Sequence, residues 1–208
     1  MITFSIIIPA HNSEKFIDKC LDSINKQTYK SFETIVVCDA CEDKTKDVAE
    51  QYRAKTIVVN HHCDGLARNE GLNVAKGNWI LFIDSDDWWL HEFVFEQIYN
   101  KLDISKMDVL AFGMIWRYIG YAGTRSVKGT LYPHVTNKCW NKSFIGDTRF
   151  PDRQVASDAG FHELMMQKNP RIEEWDMPLY YYNYLREGSK SVDIGRTVAK
   201  TKQYWSTH

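Results

Sequence analysis

Five apolar residues, Trp79-Ile80-Leu81-Phe82-Ile83, run without a polar interruption into Asp84-Ser85-Asp86-Asp87, and this junction constrains the chain more than any other stretch. An uninterrupted apolar run of that length fits a strand buried on both faces of a sheet. Unpaired charge is costly to bury, so the strand must surface where the carboxylates begin. Open α/β sheets bind their ligands at the carboxyl ends of the strands. Asp84 and Asp86 are two apart, so in extended backbone they face the same side. Carboxylates held that way repel unless a cation lies between them, and oxygen ligands suit Mg²⁺ or Mn²⁺. The same acids also read as a turn into a helix that starts near Trp89, because Asp is a good N-cap.

The chain before this junction alternates in type. Residues 3–9 (TFSIIIP) read as a buried strand stopped by proline. Asn12 and Ser13 offer an N-cap to a helix over 14–25, whose Phe16, Ile17, Cys20, Leu21 and Ile24 fall at helical spacing. Residues 32–38 form a second strand, 44–53 a second helix and 55–60 a third strand. A third helix carries Leu66, Ala67, Gly71, Leu72 and Ala75 and is closed by Gly77. This alternation specifies right-handed βαβ units and a mostly parallel, Rossmann-like sheet flanked by helices. After Trp89 the pattern changes to a helix over 90–102, a strand over 108–116 and a hairpin or loop excursion over 118–133. A helix over 159–167 and a late strand over 180–185 follow. The expected organisation is one α/β domain over 1–208, with nucleotide chemistry in 1–89 and substrate recognition in a smaller mixed part, 90–208.

Composition narrows the function classes. A formal net charge of -1 gives no bulk attraction to nucleic acid or to an anionic membrane. No apolar run approaches the ~20 residues that span a bilayer, and the N-terminus lacks the basic region of a signal peptide. Five cysteines, an odd count, favour reduced thiols and a cytoplasmic location. Cys38-x-x-Cys41 and His61-His62-Cys63 have the chemistry to hold Zn²⁺, but their spacing matches no standard finger, and cysteine is also a small buried apolar residue. A nicotinamide-binding sheet would need a glycine-rich turn after the first strand, whereas Pro9-Ala10-His11-Asn12-Ser13 has no glycine.

Four motifs, in order, carry a family resemblance: Ser5-Ile6-Ile7-Ile8-Pro9-Ala10-His11-Asn12, Val36-Val37-Cys38-Asp39, Gly65-Leu66-Ala67-Arg68-Asn69-Glu70-Gly71, and Phe82-Ile83-Asp84-Ser85-Asp86-Asp87. Together they resemble glycosyltransferase family 2, inverting enzymes of the GT-A fold with a DxD motif. Trp140-Asn141-Lys142, Phe150-Pro151, Ser157-Asp158 and Arg186-Glu187-Gly188-Ser189 are similar to later landmarks of that family. The resemblance implies transfer of a sugar from a nucleotide-diphosphate sugar, a UDP-sugar in the first instance, to a hydroxyl acceptor. The acceptor would be a saccharide, a lipid-linked saccharide or a protein, in polysaccharide or glycoconjugate synthesis, with peripheral docking wherever the acceptor is membrane-embedded. A catalytically silent nucleotide-sugar-binding protein on the same scaffold is the alternative.

The resemblance also implies residue roles. Pro9, Ala10, Asn12, Glu14 and Asp39 would hold the nucleoside, and Asp84 and Ser85 would face ribose and metal. Asp86 would be the direct ligand to Mn²⁺ or Mg²⁺, with Asp84 beside it and Asp87 less directly involved. Arg68 would neutralise the diphosphate, or else pair with Glu70 or a strand-end acid. Arg186 and Ser189 would close over the diphosphate. Asp158 would be the general base, or Ser157 and Asp158 would cap the helix that follows. Trp140 and Lys142 would stack on and hydrogen-bond an acceptor sugar, with a core position as the other reading of Trp140. The chain departs from the family where Ser157 replaces the usual Glu before Asp158. It departs again where Asp39-Ala40-Cys41-Glu42 replaces Asp-Asp-Gly-Ser and His11 replaces Tyr.

Overall fold

The sheet is built around β1 (Phe4–Ala10), whose seven residues are all buried. A computed structural model describes residues 2–103, 106–117, 124–127, 133–153 and 156–183. On one side of β1 lies β2 (Phe32–Asp39), followed by β3 (Lys55–Val59) at the edge; on the other lies β4 (Trp79–Phe82). All these pairings are parallel, as the βαβ alternation requires. The crossovers are α1 (Ile17–Asn25), α2 (Thr45–Gln51) and α3 (Asp64–Val74). Side chains alternate across the pleat. Ile6, Ile8, Val36 and Leu81 pack with Ile17, Leu21, Phe95 and Ile98. Ile7, Ile35, Val37, Ile80 and Phe82 pack with Ala67, Leu72, Phe161 and Met165 on the other face.

The second half extends the same sheet. In chain order it adds β5 (Trp88–Trp89), α4 (Val94–Lys101), β6 (Val109–Arg117), β7 (Thr124–Val127), β8 (Lys138–Asn141), α5 (Lys142–Ile145), α6 (Ser157–Met166) and β9 (Ile172–Tyr182). The spatial order is β3-β2-β1-β4-β8-β6-β9-β5, with β7 paired to β6. β8 is antiparallel to β4 and to β6, and β9 runs parallel to β6.

Several local expectations are corrected. Residues 88–89 form a strand rather than opening a helix at 90, because Trp88 and Trp89 pair with Tyr181 and Tyr180, and α4 begins only at Val94. β9 begins at Ile172, well before the expected residue 180. Its first part is polar because only β6 pairs with it there, and Pro178 sits at a register shift opposite Gly113. Asn12 and Ser13 do not cap α1 with their side chains; its N-cap is Phe16, and the Asn12 Oδ1 accepts instead from the Glu42 N–H at 2.8 Å. Gly77 does not end α3, which stops at Val74. It lets the chain pass close to β1, where a Cβ would lie 2.5 Å from the Ser5 nitrogen.

Candidate active site

At the carboxyl edge of β1, β2 and β4 lies a cleft of about 510 Å³. Its floor is made by the two turns that leave β1 and β4. Pro9, Ala10, Asn12 and Ser13 come from the first, and Asp84, Ser85 and Asp86 from the second. The turns are tied together, since the Ser13 and Ser85 hydroxyls share a hydrogen bond of 2.8 Å. The Asp87 N–H donates to the Asp84 carbonyl at 3.0 Å and closes the acidic segment into a tight turn. Asp87 itself is fully buried. Its carboxylate accepts from the Tyr180 hydroxyl and from the Asn183 N–H, so it anchors the turn to β9 instead of facing the cleft. Burial, with Asp86 and Asp84 nearby, pushes its carboxyl well above the usual carboxylate range.

Arg68 organises the polar wall. Helix α3 carries it inward, and only 2% of it is exposed. Its Nη1 reaches Asp64 Oδ2 at 2.6 Å and Asp158 Oδ1 at 3.0 Å, while Nη2 reaches Asp84 Oδ1 at 2.6 Å. Burial opposes its charge, but the carboxylates of Asp158, Asp84 and Asp64 together hold the guanidinium pKa above its ordinary value. Of the two pairings expected of Arg68, the one with a strand-end acid, Asp84, is present, whereas Glu70 pairs with His61 at 3.2 Å. Asp158, in the first turn of α6, is pushed up to about 6, chiefly by burial. Arg68 pulls the other way, and Asp84 and Asp64 add to the rise.

Asp39 is only 4% exposed. Its oxygens accept from the backbone N–H groups of His61, His62 and Cys63 at 2.6, 2.9 and 2.7 Å. The carboxylate therefore moulds the loop that feeds α3, while its residue still lines the cleft. His11 packs beside it, with Nδ1 2.7 Å from the Asp39 carbonyl oxygen, and its ring meets that of His62 edge-on at 6.2 Å, both lining the cleft. Glu14 does not line the cleft. Its Oε2 accepts from the Lys44 N–H at 3.0 Å, bracing the loop after β2.

Two expectations for the acceptor side are corrected. Trp140 is fully buried, its ring edge-on to Phe161 at 5.6 Å and its Nε1 donating to the Val135 carbonyl, so it offers no face to a sugar. Lys142 follows Asn141, which pairs with Trp79 at the amino end of β4. It therefore lies at the opposite edge of the sheet from the acids, with Nζ on the Ala75 carbonyl. Arg186 and Ser189 lie outside the described residues. The cysteine-histidine constellation does not converge: the Cys38 and Cys41 thiols adjoin, but Cys41 also donates to Ala10 O and Cys63 donates to Arg153 O, each at 3.3 Å. Among the described residues no group of three or more His, Cys, Asp or Glu is placed to hold an ion.

The cleft suits a hard cation nonetheless. Asp84 and Asp86 both line it, and Mg²⁺ or Mn²⁺ is commonly held by one or two carboxylates with substrate phosphates and water completing the shell. Sequence reasoning missed Asp64, His62, Tyr182 and Asn183 as cleft residues. Asp64 had a readable signal, an acid four residues before Arg68 on the same helix. Tyr182 and Asn183 had none, because long-range pairing of β9 brings them there.

Residues 5–170 match the family model described as glycosyl transferase family 2. The chain belongs to this family. Among its family 2 relatives is the poly(ribitol-phosphate) beta-N-acetylglucosaminyltransferase TarS of Staphylococcus aureus, 40% identical over 90% of this chain and 36% of its own length. The glycosyltransferase GlyA of Streptococcus pneumoniae is 34% identical over 63% of this chain and 18% of its length. The chain thus spans about a third or less of these relatives. The structure of TarS residues 1–349 in complex with UDP-GlcNAc superposes with a TM-score of 0.78 at 27% identity, covering 92% of this chain and 61% of that one. The mannosyltransferase PcManGT of Pyrobaculum calidifontis, in complex with GDP-Man and Mn²⁺, superposes at 0.70 with 15% identity over 89% of this chain and 58% of that one, a likeness of fold alone. The fold is GT-A, with a mixed sheet.

Proposed function

We propose that this chain transfers a sugar from a UDP-sugar to a hydroxyl acceptor in the assembly of a cell-surface polymer, with inversion at the anomeric carbon and with a divalent cation. The observation that carries the reading is the shared guanidinium: Arg68 holds the strand-end acid Asp84 at 2.6 Å and the helix acid Asp158 at 3.0 Å. Arg68 and Asp84 line the cleft, and the same guanidinium reaches Asp158 behind it, which supports pairing a donor-side acid with a base. The donor class is supported by the relatives, of which one from Escherichia coli is a UDP-Glc:alpha-D-GlcNAc-diphosphoundecaprenol beta-1,3-glucosyltransferase. The polymer class is supported by TarS and by the minor teichoic acid biosynthesis protein GgaB of Bacillus subtilis.

The nucleobase lies between the turn after β1 and the loop that Asp39 moulds, with His11 and His62 at its flanks. Asp84 and Asp86 would hold a divalent cation, which would supply charge neutralisation on the diphosphate side. Arg68, already at Asp84, adds fixed positive charge to that side. Asp158 in its ionised form takes the proton from the acceptor hydroxyl as the oxygen attacks the anomeric carbon and UDP leaves from the opposite face. No helix among the described residues is long and apolar enough to cross a membrane.

Calorimetry with UDP, GDP and dTDP, with and without Mn²⁺, tests the donor side. UDP should bind in a metal-dependent manner, and Asp86→Ala should lose that dependence. Absence of binding by a folded protein would overturn the reading.

A further inference from the structure

Asp64 was no part of the motifs that led to this site, yet it touches both elements that hold Asp158. Its Oδ2 accepts from Arg68 Nη1 at 2.6 Å and from the Ser157 hydroxyl at 3.2 Å. The same Arg68 Nη1 lies 3.0 Å from Asp158 Oδ1, and Ser157 is bonded through the peptide to Asp158. The contacts form a closed ring: Asp64 to Arg68, Arg68 to Asp158, Asp158 along the backbone to Ser157, and Ser157 back to Asp64. The ring joins the first turn of α3 to the first turn of α6.

Packing brings these two turns into direct contact. A Cβ on Gly65 would lie 2.7 Å from the Ser157 Cβ, so only glycine permits this approach. Ser157 is 2% exposed, and its small hydroxyl fits between the helices where a longer side chain would not. No side chain caps α6: its N-cap, Ala156, is left-handed at φ 58 and makes no side-chain cap hydrogen bond. From outside α6, Asp158 meets Arg68 Nη1 and the Val135 backbone N–H.

We propose that Asp64 is a positioning residue, which holds the Asp158 carboxylate at its working place through Arg68 and Ser157. This rests on the reading of Asp158 as the base. Asp64 does not touch the reacting atoms; it fixes two groups that orient the one that does. Ordering of this kind shows in turnover and leaves donor binding nearly unchanged.

The test uses the whole chain with UDP-GlcNAc and UDP-glucose as donors, a poly(ribitol-phosphate) acceptor and UDP release as the readout, alongside amide hydrogen exchange over 157–166. Asp64→Ala should lower kcat by about 10–100-fold, as removal of an outer partner commonly does, with donor KM and UDP affinity within about threefold. Asp64→Asn keeps an oxygen that accepts from both partners and should retain more activity than Asp64→Ala. Ser157→Ala should cost less than Asp64→Ala, and the double variant should be no worse than Asp64→Ala alone, since both break one ring. Amides in the first turn of α6 should exchange faster in each variant. Unchanged kcat in active protein, or UDP affinity lost in step with kcat, overturns the proposal. If wild type releases no UDP, the transferase reading fails on its own. The ring is then judged by exchange alone, and unchanged protection in Asp64→Ala overturns it.

Discussion

At the residue scale, Asp158 carries two consequences of one environment. Its carboxyl is held at about 6, chiefly by burial, with Arg68 opposing. A base works only when ionised, so transfer should fall as pH drops below about 6, close to tenfold per unit, and a pH-rate profile would show that limb. Asp158→Asn should keep UDP binding and lose transfer; full transfer in this variant would overturn the base assignment. The stability sign follows from the same value. Between 3.8 and about 6 the folded state binds more protons than the unfolded, so Asp158 adds stability at low pH that is lost as pH rises through the folded value. Relative to wild type, Asp158→Asn should therefore gain on the order of 2 kcal/mol between pH 4 and pH 7. Urea unfolding at both values checks this, and a pH-independent difference would contradict it. Asp39 was legible as a cleft acid from its place at the carboxyl end of β2. That its oxygens are filled by three backbone N–H groups was not, because the donors come from a loop more than twenty residues away.

At the element scale, β8 separates what patterning shows from what packing imposes. Four residues, Lys138 to Asn141, form a strand that is buried throughout although two of them are polar or charged. Lys138 is fully buried, and its Nζ donates to the His134 carbonyl and the Asn137 Oδ1 at 2.7 and 2.9 Å. Nothing local announces such a strand, and it forms because β4 and β6 each leave an edge to fill. Trp140 consequently belongs to stability rather than to recognition. Trp140→Ala should cost about 3–5 kcal/mol by urea unfolding. The milder Trp140→Phe should leave donor and acceptor KM unchanged, and a raised acceptor KM without loss of stability would restore a surface role. The helices α1 and α3 were readable because their apolar periodicity lies within one element. The strand pairing of Trp88 and Trp89 was not, because its partners Tyr180 and Tyr181 sit at the far end of the described chain.

At the scale of the whole molecule, Arg68 joins three parts: its own α3, the turn after β4 and the start of α6. Arg68→Met would leave Asp64, Asp84 and Asp158 without their shared cation and should destabilise the fold by about 3–5 kcal/mol. The loss should shrink toward pH 4 as carboxylates take up protons, and urea midpoints at pH 4 and pH 7 measure this. By itself the sequence determined the parallel βαβ alternation of the first half, the surfacing of acids after β4 and the family, because those signals are local runs of buried residues broken by charge. Only the tertiary structure decided which acids face the cleft and which serve the scaffold. Asp87 turned to Tyr180 and Asn183, Lys142 went to the far edge of the sheet, and Asp64 joined the ring around Asp158. A carboxylate's role depends on which donors reach it, and in this chain many of those donors arrive from strands and loops distant in sequence.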